Sequence, residues 1–181
     1  LIDKSESEFE KNPEEWEYLG EQMESETSQY MVAGGISHSY FFNDNTRLKT
    51  IVAATYFRHK GFVDFYDFDL NKYPNLDLVR NNTNLIFSAI LNRKFSAKFT
   101  NKTGFTFTKM YYDMEMNLSP YTMQPLELIS KGDGNTNLIS GYTSSSIGLS
   151  ERVTLSVGLN AQVLTLKNHW TVEPRAGIKW Q

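Results

Sequence analysis

Val153-Thr154-Leu155-Ser156-Val157-Gly158-Leu159-Asn160-Ala161-Gln162-Val163 is the stretch that decides the fold class. Its odd positions are Val, Leu, Val, Leu, Ala and Val; its even positions are Thr, Ser, Gly, Asn and Gln. Period-2 alternation of this length predicts a strand with one apolar and one polar face. The run is longer than the globular strand mode of about 5–6 residues. Its polar face carries no charge, as suits a strand lining a wet interior. A short turn at Lys167-Asn168-His169 leads into a second such run. There Val172, Pro174, Ala176, Ile178 and Trp180 share one face, and Glu173, Arg175, Gly177 and Lys179 share the other. A proline in this setting belongs near a strand start or at an unpaired donor.

Working toward the N-terminus, the same period recurs. Thr136 to Leu149 reads as a Ser/Thr/Gly-rich strand with Ile139 and Ile147 on one face. Phe95, Ala97, Phe99, Phe105, Phe107 and Tyr111 share one parity, which predicts a single strand from Phe95 to about Met114, with Asn101 and Thr103 as polar exceptions. A hairpin at Asn101-Lys102-Thr103-Gly104 is the competing reading, because a glycine there can take positive φ. Kept parity favours the continuous strand. Leu85, Phe87, Ala89 and Leu91 mark another strand, as do Leu48 to Tyr56 and Val32 to Phe42, the last with Ile36, Tyr40 and Phe42 on one face. Tight polar turns are predicted at Phe42 to Arg47, Leu91-Asn92-Arg93-Lys94 and Leu149-Ser150-Glu151-Arg152. Two long connections, Arg58 to Thr83 and Met114 to Asn135, separate these hairpins. Short turns alternating with long loops are the habit of outer-membrane barrels. The fold class read from the pattern is therefore all-β, an antiparallel meander forming part of a transmembrane β-barrel.

Composition sets the outer limits. A chain of 181 residues is a prior for one domain. Eighteen Lys+Arg against 21 Asp+Glu leave no basic footprint for nucleic acid. With no cysteine, disulfide frameworks, thiolate zinc sites and cysteine nucleophiles are excluded. No apolar run approaches the roughly 18 residues of a membrane helix, and no signal-peptide pattern is visible in the first residues given. Starting on Leu1 rather than Met, the chain is expected to be an excerpt of a longer protein. Tyr 10, Phe 12 and Trp 3 suit either a compact core or the aromatic girdles of a bilayer interface. Residues 1–30 stand apart as an acidic, partly helical or irregular loop segment, expected on the extracellular side; residues 31–181 carry the strands. Within that segment Asn12 as N-cap and Pro13 in the first turn predict a short helix through Trp16, Leu19 and Met23.

The motifs Thr136-Asn137-Leu138-Ile139, Leu149-Ser150-Glu151-Arg152 and the closing Glu173-Pro174-Arg175-Ala176-Gly177-Ile178-Lys179-Trp180 resemble strands of TonB-dependent outer-membrane receptors. Leu91-Asn92-Arg93-Lys94-Phe95-Ser96-Ala97-Lys98, followed by Thr103-Gly104, is similar to an earlier strand of that family. The resemblance runs from about Val32 to Gln181. It implies a barrel of about 22 strands plugged by an N-terminal domain. Neither the plug nor a TonB-contacting box is present in these residues, and the family pattern continues past the equivalent of Trp180.

Candidate sites are sparse. His38, His59 and His169 lack metal-ligand spacing. Asp67-x-Asp69-x-Asn71, with Asp64 upstream, imitates half of a calcium loop without its glycine and closing glutamate. Neither a Gly-x-Ser-x-Gly elbow nor a phosphate-cradling glycine loop occurs. Glu173 and Arg175 read as a charge ladder on one strand face. The segment Gly61-Phe62-Val63-Asp64-Phe65-Tyr66-Asp67-Phe68-Asp69 combines aromatics with carboxylates and is the best place for ligand contact, though it singles out no ligand-binding residue. No catalytic residue, metal ligand or cofactor is expected, and the chain is not read as an enzyme. The function this implies is the barrel portion of an importer of a scarce nutrient (a metal chelate, vitamin or glycan) in the bacterial outer membrane. Its partners would be the lipid bilayer, the nutrient at extracellular loops, TonB and a plug domain. The alternatives are a soluble or surface-attached β-domain binding a protein or glycan, or a complete small outer-membrane barrel.

Overall fold

The computed structural model describes residues 1–180. Eight strands follow one another: β1 Ile2–Ser7, β2 Met23–Asn43, β3 Thr46–Tyr66, β4 Lys72–Ser96, β5 Phe99–Leu118, β6 Glu127–Gly148, β7 Val153–Leu164 and β8 His169–Trp180. They form one antiparallel meander sheet in the order β1 to β8, without a closing ladder among the described residues. The all-β meander expected from the alternation is therefore present. The acidic segment differs from expectation. In place of one short helix through Trp16, Leu19 and Met23 it holds β1 and two separate 3-10 turns, Pro13–Glu15 and Leu19–Gln22. Asn12 does cap the first, its side-chain oxygen accepting from Glu14 N at 3.3 Å. A turn of three residues satisfies that cap, and β2 then begins at Met23, too soon for an α-helix.

The long connections are also shorter than expected. β3 continues to Tyr66 and β4 starts at Lys72, so residues 58–83 are mostly strand; β5 reaches Leu118 and β6 starts at Glu127. Polar and charged residues there pair as strands because only burial, and not the ladder itself, excludes them.

The short turns that join β2 to β3, β4 to β5 and β6 to β7 are each fixed by a side-chain oxygen that accepts from an amide two residues on. Asn43 Oδ1 accepts from Asn45 N at 3.0 Å, Ser96 Oγ from Lys98 N at 3.2 Å, and Ser150 Oγ from Arg152 N at 3.3 Å. The turns at Asp44-Asn45 and Leu149-Ser150-Glu151-Arg152 stand where the sequence placed them. The middle one does not: Asn92 and Arg93 lie within β4, and the chain reverses at Ala97 and Lys98. The strand predicted from Phe95 is thus the end of β4 joined to β5. The parity that bridged it reflects Phe95 and Phe99, stacked across the turn at 4.9 Å between centroids. From Phe99 onward the continuous reading holds, and β5 runs through Asn101–Gly104 unbroken.

Contacts divide the chain into two units. The first comprises Leu1–Val32, Thr55–Thr83 and Tyr111–Gly134; the second comprises Ala33–Ala54, Asn84–Met110 and the residues from Asn135 on. In the first unit Phe65 is 5% exposed, the one buried hydrophobic side chain among the described residues. Phe9 stacks on Tyr66 at 3.7 Å, Trp16 lies against Phe68 at 5.3 Å, and the Tyr112 ring covers Gly134.

In the second unit the burial is inverted. Ser88 and Thr136 are buried, while Ile36, Val52, Phe87, Phe105, Leu159 and Ile178 are exposed. Ser88 Oγ meets its need from Phe105 O at 3.2 Å and Thr106 Oγ1 at 3.0 Å. Registers keep the faces separate. Leu155 pairs with Ile178, Val157 with Ala176, Leu159 with Pro174 and Ala161 with Val172; Thr154 pairs with Lys179 and Asn160 with Glu173. Val157, Leu159 and Val163 are exposed, so neither a second sheet nor a helix covers the odd face of β7. The opposite face packs Tyr142 flat over Gly104, where any Cβ would lie 2.6 Å from the ring's Cζ. Here glycine is required for space rather than for φ.

Candidate functional site

The richest side-chain constellation lies in the first unit, where β2 begins and the β3–β4 hairpin turns. Gly61 to Tyr66, expected in a loop, form the end of β3, so their side chains alternate between two faces. Phe65 is thereby buried, and Tyr66 is free to stack on Phe9. Tyr66 donates its hydroxyl to Glu24 Oε2 at 2.8 Å. Lys72 bridges Glu24 at 3.0 Å and Asp64 at 2.9 Å. Around this centre a cleft of about 420 Å³ opens, with Phe62, Leu76 and Leu126 as apolar lining and Glu6, Glu8, Glu26 and Asp77 adding carboxylates. Asp77 Oδ1 is buried there without a hydrogen-bond partner.

Electrostatics follow from these contacts. The Lys72 ammonium and then the Tyr66 hydroxyl hold the Glu24 carboxyl below its ordinary 4.5. Asp64 and Glu24 together hold Lys72 well above its ordinary 10.5. For a depressed carboxyl, the stabilising contribution is present above the unfolded pKa and is lost as pH falls through the folded one. The raised lysine loses its contribution only at extreme alkaline pH. Acid is therefore the side that opens this cluster. Titration from pH 7 to below 4 should release Tyr66 from Glu24, read as a change in near-ultraviolet tyrosine dichroism. Glu24→Gln should flatten that transition; an unaltered transition in the variant would assign it to another carboxyl.

The calcium-like pattern has a different use. Asp67 Oδ1 accepts from Asp69 N at 2.9 Å and Asn71 N at 2.8 Å, and Oδ2 accepts from Asn71 Nδ2 at 3.0 Å and Tyr73 OH at 3.1 Å. The carboxylate is consumed in closing a turn that holds Leu70 at φ 59°. His38, His59 and His169 sit on three different strands, β2, β3 and β8. Glu173 and Arg175 form an ion pair of 3.0 Å along β8.

Two features escaped the sequence. Glu24 meets Tyr66 and Lys72 because β2, β3 and β4 lie side by side, and Phe9 follows β1, which pairs with β2, Glu6 opposite Glu26, and is too short to alternate visibly. The second is a polar cluster on the otherwise apolar odd face of the second unit. Asn101 Nδ2 donates to Thr143 Oγ1 at 3.0 Å and Ser145 Oγ at 2.9 Å, and Thr103 Oγ1 donates to Asn101 Oδ1 at 2.9 Å. Thr143 pairs with Leu159 and Ser145 with Val157, which puts the cluster on their side. The parity exceptions at Asn101 and Thr103 were its visible signal; their β6 partners were not.

Charge separates the units. The first carries eighteen Asp and Glu against seven Lys and Arg, and the second eleven Lys and Arg against three Asp and Glu. No protein-family model and no curated protein sequence matches the chain.

Proposed function

We propose that this chain is a segment of the barrel wall of a TonB-dependent receptor that imports a scarce nutrient across the bacterial outer membrane. The observation that carries the reading is the inverted burial of the second unit combined with its strand lengths. Within that unit the strands contribute stretches of between 9 and 14 residues, against the 9–11 that a tilted strand needs to cross the hydrocarbon. One face of these stretches is open and apolar apart from the Asn101–Thr143–Ser145 cluster, whose polar groups bond one another, and the other is polar, the pattern of lipid outside and water inside. In hydrocarbon every backbone group needs a partner, so the outer edges of β2 and β8 are proposed to pair with further strands of the wall. The acidic first unit is then the ligand-facing part. Its cleft, with carboxylates over an apolar lining, suits a nutrient bearing positive charge or hydrogen-bond donors, and its field steers cations inward. Uptake through this wall requires no catalytic group of the chain itself.

Cell fractionation tests the reading. The full-length protein should resist a high-salt wash of the membranes and be extracted only by detergent, together with outer-membrane markers. Release into the salt wash would overturn the wall and favour a soluble or surface-attached β-domain.

A further inference from the structure

Contacts trace the polar face of the second unit from strand to strand. Ser144 and Ser146 pair with Gly158 and Ser156, on the side away from Leu155, Val157 and Leu159. Tyr142 pairs with Asn160 on that same side and covers Gly104. The Lys102 ammonium lies 5.8 Å from the Tyr142 centroid, so Lys102 shares the face. Ser88 Oγ meets Thr106 Oγ1 at 3.0 Å, which brings the even positions of β4, Asn92 and Lys94 among them, to the same side. Arg93 has the other parity. Its guanidinium lies 4.6 Å from the centroid of Phe95, which shares its parity with the exposed Phe87 and Leu91 of the open face.

At the short turns the polar face gathers cations. Lys94 and Lys102, with Asn92, Ser144 and Ser146, line a groove of about 470 Å³ that Arg47 enters from the β2–β3 turn. Arg47, Lys94 and Lys102 are exposed. None of the three makes an ion pair among the described residues, whereas Lys4, Lys11, Lys72 and Lys131 of the first unit are each paired with a carboxylate. Asp44, the one carboxylate lining the groove, leaves two of these three positive charges unbalanced. Lys94 N donates to Asn45 O at 2.7 Å, which ties the two turns together and gives the cations a backbone frame.

We infer that this groove binds a soluble compound by its phosphate group. A phosphate monoester carries a charge of about −1.5 to −2 at pH 7 and three strong acceptor oxygens. The unbalanced cations match its charge, and the ammonium, guanidinium, amide and hydroxyl donors match its oxygens. A carboxylate brings one charge and two oxygens, too few for both. The occupant approaches from water, because the serines, Asn92, Lys94 and Lys102 belong to the polar face. The inference rests on that polarity and not on the membrane-wall reading, beyond which it gives the polar face a ligand of its own.

The test titrates the full-length protein in dodecyl maltoside micelles with phenyl phosphate, read by calorimetry. Inorganic phosphate should compete for the same site. R47Q/K94Q/K102Q should bind at least about a hundredfold more weakly than wild type, and K102Q alone about tenfold, since hydrogen bonds to charged groups are each worth about tenfold or more. R93Q, which removes a neighbouring charge from the opposite face, should bind as wild type does. R47K/K94R/K102R keeps every charge and should stay within a few-fold of wild type, which separates lost charge from a lost fold. Affinity should rise several-fold from pH 5 to pH 7, following the second ionisation of phosphate near pH 6. Unchanged affinity in both K102Q and the triple glutamine variant, a loss in R93Q as large as in K102Q, or benzoate binding as tightly as phenyl phosphate would overturn the proposal. Tighter binding of a hexaglutamate peptide than of phenyl phosphate would overturn it too, by assigning the groove to an acidic chain. These outcomes are independent of the fractionation result, so failure of the groove and failure of the wall are told apart.

Discussion

Leu159→Arg should cost the full-length protein about 2–4 kcal/mol of stability in lipid, while Asn160→Arg, one residue further on, should be mild. Leu159 is 46% exposed and shares its face with Val157 and Val163, so in the proposed wall an arginine there enters hydrocarbon without a partner. Asn160 pairs with Glu173 on the opposite face, where a new cation meets a carboxylate and water. Urea unfolding of the reconstituted protein measures the contrast. A soluble protein would also resist a charge at Leu159 if that face docked elsewhere, so a second reading is needed in the bilayer. The chain lacks cysteine, and single-cysteine nitroxide variants at Val157, Leu159, Ser156 and Asn160 supply it. Oxygen partitioned among the acyl chains should relax the first two labels strongly and the last two weakly. Equal relaxation on both faces would remove the membrane wall and, with it, the import function.

Gly104→Val should cost about 1–3 kcal/mol through overpacking, and Tyr142→Ala should remove most of that penalty. An added Cβ at Gly104 would stand 2.6 Å from Cζ and 2.8 Å from the hydroxyl oxygen of Tyr142, so the ring must leave the strand it covers. Because the clash involves one side chain, the double variant should show a coupling above about 0.5 kcal/mol, as residues in contact do. Additive effects in the cycle would show that the backbone of β5, and not the ring, resists the substitution.

The local level was legible wherever one residue type repeats against another. In β7 six apolar odd positions alternate with five polar or glycine positions, and the register carries the same split into β8. The Asp44-Asn45 and Leu149–Arg152 turns were legible because an Asn or Ser oxygen can reach an amide two residues on without help from any other strand. Where the pattern misled, a nonlocal contact had replaced the local signal. Asn92-Arg93-Lys94 is polar enough for a turn, yet it pairs as strand while Ser96 closes the reversal. The continuous parity from Phe95 came from two stacked rings on separate strands. Residues 58–83 looked like a loop because their ladder is exposed enough to tolerate charge.

Sequence alone determined the class, the alternation of faces and the absence of thiol chemistry, all of which depend on residue identity and a period of two. Tertiary structure decided the rest. It drew Phe9 and Glu24 onto Tyr66 and Lys72 across strands 42 or more residues apart in the case of Glu24, and it joined Asn101 and Thr103 to Thr143 and Ser145. It also set which face is buried. Periodicity says that a strand has an apolar side but not whether that side is covered; that appears only when Ser88 is found 8% exposed and Ile178 72% exposed. The physical reason is that alternation is a property of one strand, whereas burial, charge pairing and ring-on-glycine packing belong to neighbours whose separation along the chain no local pattern records.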